Sequence, residues 1–239
     1  MKAVFPEGEG IFETIKTIHG VPYAMTRHMA RATRSAAILG MRIQPESQIR
    51  SAVSGVLSKT PAALEFGRLR VTFHPDGEFE MVHETYHPWT SPARLTISEK
   101  VIDENSPWIG MKTLPFTESI EALKVAREQG FDDAVRFNTS GEIAETSVAN
   151  ILLKVGGRWL TPNLASGCLP GITRGLVLDW LDVKEATLTR DDLESAESIY
   201  LLSSLKDAQP VSSLEDRALE IDEEIREELA DRMARDIDP

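Results

Sequence analysis

Between Arg68 and His74 the apolar residues Leu69, Val71 and Phe73 alternate with polar ones, and Pro75-Asp76-Gly77 follows shortly after. A period of two puts those three side chains on one face of a strand, and the Pro-Asp-Gly run reverses the chain. Residues 79–86 then return as the second strand of a hairpin. Upstream the period changes. Met29, Ala32, Ala36 and Leu39 recur at helical spacing, with Thr26 as the expected N-cap and Gly40 just past the last turn. Hairpins interleaved with helices predict an α+β fold.

The remaining segments extend this reading. Residues 10–18 and 21–25 form two strands joined at His19-Gly20, and 45–57 a second helix. After the irregular stretch 87–92 comes a strand over 94–101. The loop 103–110 is the expected junction, which predicts two domains, 1–103 and 104–239. Beyond it the pattern predicts a helix over 118–129 ending at Gly130. Strands are expected at 133–137, 142–145, 148–155 and 198–202, with turns at 138–141 and 156–157. A helix begins near Pro170-Gly171, and an acidic helix covers 222–237.

Composition narrows the partners. The 239 residues carry a formal net charge of −12, with acidic residues dense near the carboxyl end. Such a surface repels phosphate backbones, so nucleic acid is not an expected partner. A local positive site for a small anion remains compatible with it. No apolar run is long enough to span a bilayer, and the amino terminus lacks a signal-peptide core. The single cysteine, Cys168, excludes an intramolecular disulfide and fits a reducing, cytoplasmic setting. No His or Cys spacing suggests a metal centre.

Several residues stand out chemically, each with a plainer alternative. Lys112 lies in Gly110-Met111-Lys112-Thr113-Leu114; desolvation there makes an amine a better nucleophile toward an aldehyde, though most lysines are solvated surface charges. Glu145 lies among small and apolar residues, where a buried carboxylate needs a partner such as a protonated pyridine nitrogen; the plainer alternatives are a salt bridge to an arginine or exposure in a turn. Leu169-Pro170-Gly171-Ile172-Thr173-Arg174 starts a helix whose free N–H groups form an anion seat, with the Thr173 hydroxyl beside it. The same sequence is also an ordinary cap. Arg31 is either a phosphate-binding cation or a flanking charge. Ser203-Ser204 are hydroxyl donors or turn formers. Glu13 and His28 attract the same interest, a histidine near a helix start being more often structural, and Cys168 has no evident helper base.

In this order the pieces resemble the class IV aminotransferases, the fold type IV pyridoxal-phosphate enzymes. That group includes branched-chain and D-amino acid aminotransferases and 4-amino-4-deoxychorismate lyases. Gly10–Lys16 resembles the family's first core strand, and Arg27-His28-Met29-Ala30-Arg31 its phosphate-arginine helix. Lys112-Thr113-Leu114 is similar to the Schiff-base segment, Glu145–Asn150 to the pyridine-nitrogen segment, and Ser166–Arg174 to the phosphate cup. The resemblance implies that Lys112 carries pyridoxal 5′-phosphate as a Schiff base and serves as general base and acid. It implies that Glu145 holds the ring nitrogen and that Arg31, Ile172, Thr173 and Ser204 anchor the phosphate.

It implies as well a two-domain D-amino acid aminotransferase-like architecture, the larger domain carrying Lys112 and Glu145, and a homodimer acting on an amino acid or a chorismate-derived substrate. The expected reaction is transamination between an amino acid and a 2-oxo acid. The alternatives are release of pyruvate and 4-aminobenzoate from aminodeoxychorismate, and a degenerate member that binds without catalysis. Two departures stand out. Only Pro6–Gly10 matches the segment that precedes the first strand in relatives, and Phe73-His74 occupies the place where several relatives have an arginine for a substrate carboxylate. Arg68 or Arg70 is available nearby.

Overall fold

The computed structural model describes residues 10–59, 64–235 and 238; the Pro6–Glu9 stretch lies outside them. The elements are β1 (Ile11–Ile18), β2 (Val21–Pro22), α1 (Met25–Leu39), α2 (Glu46–Leu57), β3 (Phe66–Phe73), β4 (Phe79–Thr85) and β5 (Ala93–Ile97). Then come α3 (Thr117–Glu128), β6 (Asp133–Phe137), β7 (Ile143–Thr146), β8 (Asn150–Val155), β9 (Arg158–Pro162), a 3₁₀ turn (Leu164–Ser166) and α4 (Ile172–Trp180). The chain continues through β10 (Val183–Ala186), α5 (Arg190–Ser195), β11 (Ser198–Ser203), β12 (Asp207–Leu214), β13 (Arg217–Ala218) and α6 (Glu223–Arg235). The expected α+β class holds.

The described chain divides into two compact units. The first comprises 10–59, 64–88, 111–115 and 238; the second comprises 89–110 and 116–235. A single cut after Asp103 does not follow this division. β5 pairs with β6 and β12, so its backbone belongs to the sheet of the second unit. Residues 111–115 return to the first unit: Phe12 donates its N–H to the Lys112 carbonyl at 2.9 Å, and Leu114 donates to the Gly10 carbonyl at 2.8 Å.

The first unit is an antiparallel sheet in the order β2-β1-β3-β4. The β1–β3 register runs from Ile11↔Phe73 to Ile18↔Phe66. The alternating Leu69, Val71 and Phe73 are buried, as their period requires, and α1 contributes Met29, Ala32, Ala36 and Leu39 to the buried set. The start of α1 departs from expectation. Its N-cap is Ala24, at φ 52°, and Thr26 lies inside the first turn, where its N–H and hydroxyl both donate to Asp238. That external carboxylate satisfies an orphan donor at the positive end of the helix. Gly40 closes α1 at φ 66°, a conformation glycine adopts without strain.

The second unit is a nine-stranded sheet with the path β10-β9-β8-β11-β12-β5-β6-β7, β13 pairing with β12. It curls, so that β7 at one end of the path comes beside β8. A tight connection, with the Thr146 N–H donating to the Ala149 carbonyl at 2.8 Å, joins them. The core is built of aliphatic residues from neighbouring strands, among them Leu95, Val135, Ile151, Leu153, Ile199, Leu201 and Val211. α3 packs on β6, α4 on β10 and β11, and α6 on β12. No described helix is long and apolar enough to cross a membrane.

Leu153 is fully enclosed in this core. Truncation there removes burial and leaves a cavity. Leu153→Ala is expected to lower stability by about 2–5 kcal/mol, read as a reduced urea midpoint at unchanged m-value.

Candidate active site

In the first unit the candidate residues converge on β1. Residues 111–115 lie along its start, with an antiparallel bridge between Ile11 and Thr113. This pairing sets the half-buried Lys112 beside the Phe12 ring, its Nζ 4.5 Å from the centroid. The Arg70 guanidinium lies 4.1 Å from the same centroid. Arg68 instead pairs with Glu84 across the β3–β4 ladder, both side chains exposed.

Arg31 is 4% exposed, and its guanidinium grips Glu13 with two hydrogen bonds, Nε to Oε1 at 2.9 Å and Nη2 to Oε2 at 2.6 Å. His28 Nδ1 meets the same Oε2 at 2.7 Å. His28 and Arg31, three apart on α1, share one face and close on Glu13 of β1. Burial pushes the Glu13 carboxyl up, but the Arg31 charge and the hydrogen bonds from His28 and Arg31 overcome it and hold it well below the usual range. An ionised Glu13 can only accept, so His28 Nδ1 carries the proton. Burial lowers the His28 pKa, and the charges of Arg31 and Lys112 lower it further against the pull of Glu13. The cluster thus fixes Arg31 by a buried carboxylate while keeping His28 neutral at neutral pH.

In the second unit the candidates gather where β8 begins and β11 ends. Asn150 is in register with Leu202, so Ser203 and the Ser204 turn follow at that same end of the sheet. Glu145 Oε2 accepts the Leu169 N–H at 2.9 Å and lies 3.4 Å from Asn150 Nδ2. The Asn150 amide also donates to the Leu169 carbonyl at 2.8 Å. These bonds hold the loop that enters α4. Gly171 is the N-cap of α4, without a side-chain cap, so the first N–H groups of the helix point outward as donors. A Cβ at Gly171 would stand 1.8 Å from Asn150 Oδ1; the close approach, not a special φ, demands glycine. Thr173 and Ile172 in the first turn are buried.

Asn150, Asn138 and Asp133, whose types and spacing carry no catalytic signal, also build this end of the unit. Asn150 ties Glu145 to the α4 loop, as above. Asn138 donates to the Ser166 carbonyl at 3.2 Å and steadies the start of the same loop. Asp133 is buried beneath the residues after Glu145, accepting the Ser147 N–H at 2.9 Å and the Thr146 hydroxyl at 3.0 Å. Burial raises the Asp133 pKa, against the Lys206 charge and these hydrogen bonds. The available signal was a pair of charges, Asp133 and Arg136, inside an otherwise apolar strand. Burial pushes the Cys168 thiol up to about 11, with the Glu145 charge adding to it, so the thiol stays protonated.

Each unit carries groups of defined chemistry. In the second unit outward amides and the buried Thr173 hydroxyl at α4 fit a phosphate, and a fixed carboxylate fits a pyridinium; in the first unit, taken by itself, the Lys112 amine fits an aldehyde. Residues 10–214 match the family described as amino-transferase class IV. The chain belongs to that family, whose enzymes depend on pyridoxal 5′-phosphate.

Among curated relatives, a probable branched-chain-amino-acid aminotransferase of Thermotoga maritima is 27% identical over 87% of this chain and 78% of its own length. A protein of the same description from Aquifex aeolicus is 29% identical over 44% of this chain, the match covering only 35% of the relative. A crystal structure of a putative 4-amino-4-deoxychorismate lyase from Legionella pneumophila superposes with a TM-score of 0.86 at 24% identity, covering 98% of this chain and 96% of that one.

The first unit's buried cluster makes its stability depend on pH. His28 has a folded pKa below its unfolded value near 6.5, so stability is present above about pH 6.5 and is lost as the unfolded chain takes up a proton on acidification. Glu13 is depressed likewise, so a second loss begins below about pH 4.3. Thermal unfolding is expected to fall in two steps between pH 7 and pH 3. Glu13→Gln is expected to be less stable at pH 7 and to lack the second step.

Proposed function

We propose that this chain is a pyridoxal-phosphate-dependent aminotransferase that moves an amino group between an amino acid and a 2-oxo acid. The observation that carries the reading is the match to amino-transferase class IV across residues 10–214. The Glu145–Asn150–Leu169 junction at an uncapped helix start supports it. When bound, the cofactor supplies an aldehyde that captures amines and a ring that accepts electrons from the carbon next to the nitrogen.

Lys112 supplies the amine that holds the cofactor and, once displaced, moves the proton at the substrate Cα as general base and then general acid. Glu145 keeps the ring nitrogen protonated; its hydrogen bonds from Leu169 and Asn150 fix its orientation. The N–H groups at Ile172 and Thr173, the Thr173 and Ser204 hydroxyls and Arg31 bind the phosphate. Arg31 does so from a side chain whose direction is set by Glu13. A homodimer is carried over from the family resemblance, and a cytoplasmic location from the single cysteine.

The test is spectroscopic first. The chain mixed with pyridoxal 5′-phosphate is expected to show a visible absorbance band that Lys112→Ala abolishes, while Glu145→Gln retains colour and loses about 10²-fold or more in turnover. A Lys112→Ala protein with an unchanged band would overturn the lysine assignment. Amino donors should bleach the band, and a 2-oxo acid should restore it. Release of pyruvate and 4-aminobenzoate from aminodeoxychorismate, with no oxo acid added, would replace transamination with elimination.

A further inference from the structure

β6 is buried along its whole length yet carries two charged residues. Asp133 is accounted for by the donors around it. Arg136 is not. It is 3% exposed; Nη1 donates to the Ser119 hydroxyl at 3.2 Å, while Nε and Nη2 have no hydrogen-bond partner. Nη2 lies 3.5 Å from Glu118 Oε2, in ion-pair range but without a hydrogen bond. Buried donors left idle are costly, and native structures rarely keep them. Nε and Nη2 form one edge of the guanidinium, the edge that grips two oxygens at once.

Both partners of the guanidinium come from the start of one helix. Glu118 and Ser119 lie in the first turn of α3, a helix of 12 residues whose N-cap, Phe116, makes no side-chain cap. The first N–H groups of such a helix are orphans and carry the positive end of its dipole. A buried cation close to a helix N-terminus favours an anion beside both. Glu118 answers this demand weakly, through a side chain that is 78% exposed. In the β6–β7 register Arg136 is paired with Glu145, so both project from the same face of that antiparallel pair.

We propose that Arg136 and the first turn of α3 form a receptor for an anionic oxygen of a bound ligand, held beside Glu145, with Glu118 as the internal carboxylate that the ligand displaces. The proposal rests on the cofactor reading for its two sources of such an oxygen. One is the phenolate of the cofactor ring and the other the carboxylate of an amino or oxo acid. Their shared chemistry is a localised negative oxygen that accepts from both Nε and Nη2.

The experiment uses the full chain with pyridoxal 5′-phosphate and, separately, succinate, a dicarboxylate without an amine or oxo group. Dissociation constants are measured by calorimetry for the wild type, Arg136→Met and Glu118→Ala. Arg136→Met is expected to weaken one ligand about tenfold or more, the scale of a charged bidentate contact. Glu118→Ala, at an exposed position, is expected to tighten the same ligand about two- to fivefold, the scale of an exposed ion pair. Weakened cofactor binding without succinate identifies the ring oxygen; intact cofactor binding with weakened succinate identifies the substrate carboxylate. Binding of both ligands within twofold of wild type in folded Arg136→Met overturns the receptor. If Arg136→Met does not fold, Glu118→Ala decides, and unchanged binding of both ligands overturns it. A wild-type chain that takes up no cofactor defeats the cofactor reading instead, and the succinate measurement still tests Arg136.

Discussion

Glu145 organises the second unit because a carboxylate in a half-buried position must be supplied with donors. Its donors are the Leu169 N–H and the Asn150 amide, and the same amide reaches the Leu169 carbonyl. One acidic side chain on β7 thereby fixes β8 and the loop into α4. The curl of the sheet makes this possible by bringing β7 beside β8 although they are far apart along the sheet path. Asp133 supports the same point from below through Ser147 and Thr146. An acceptor, an uncapped helix start and a hydroxyl turn thus share one end of the strands.

The first unit solves a similar problem with opposite signs. Arg31 and Lys112 both attach to β1, one through Glu13 and one through backbone pairing. Glu13 sets the direction of Arg31, while burial keeps His28 neutral against the pull of the same carboxylate. Burial of an ion pair of this kind serves orientation more than stability, since desolvation offsets much of the attraction. Both units use a carboxylate to fix the geometry of a neighbouring group. Arg136 departs from the pattern, a buried charge with donors unclaimed.

Most helices and the hairpin strands were legible because their signals are local. Gly40, Gly130 and Gly171 mark helix ends, and the alternation of Leu69, Val71 and Phe73 marks the β3 face. The elements that escaped reading lack such signals or carry brief ones. β12 contains Pro210 and several polar residues, and its burial comes from pairing with β5 and β11. β9 and β10 are short and pair in parallel, a partnership no local pattern announces. α5 had a readable start, since Thr189 and Asp192 form a capping box. The residue types favour Thr26 as the cap, but Ala24 takes that place in a left-handed conformation that an alanine does not advertise.

The sequence by itself determined the class of fold, the family resemblance and the identities of the candidate residues, because residue type, period and order are properties of the linear chain. Only the tertiary structure decided what each of those residues touches. That Arg31 is held by Glu13, that Gly171 is required by Asn150, that β5 belongs with β6 and that Arg136 lies buried against α3 all depend on contacts between distant segments. Such contacts follow from how the sheets curl and pair, and those long-range choices are set by burial of the whole core.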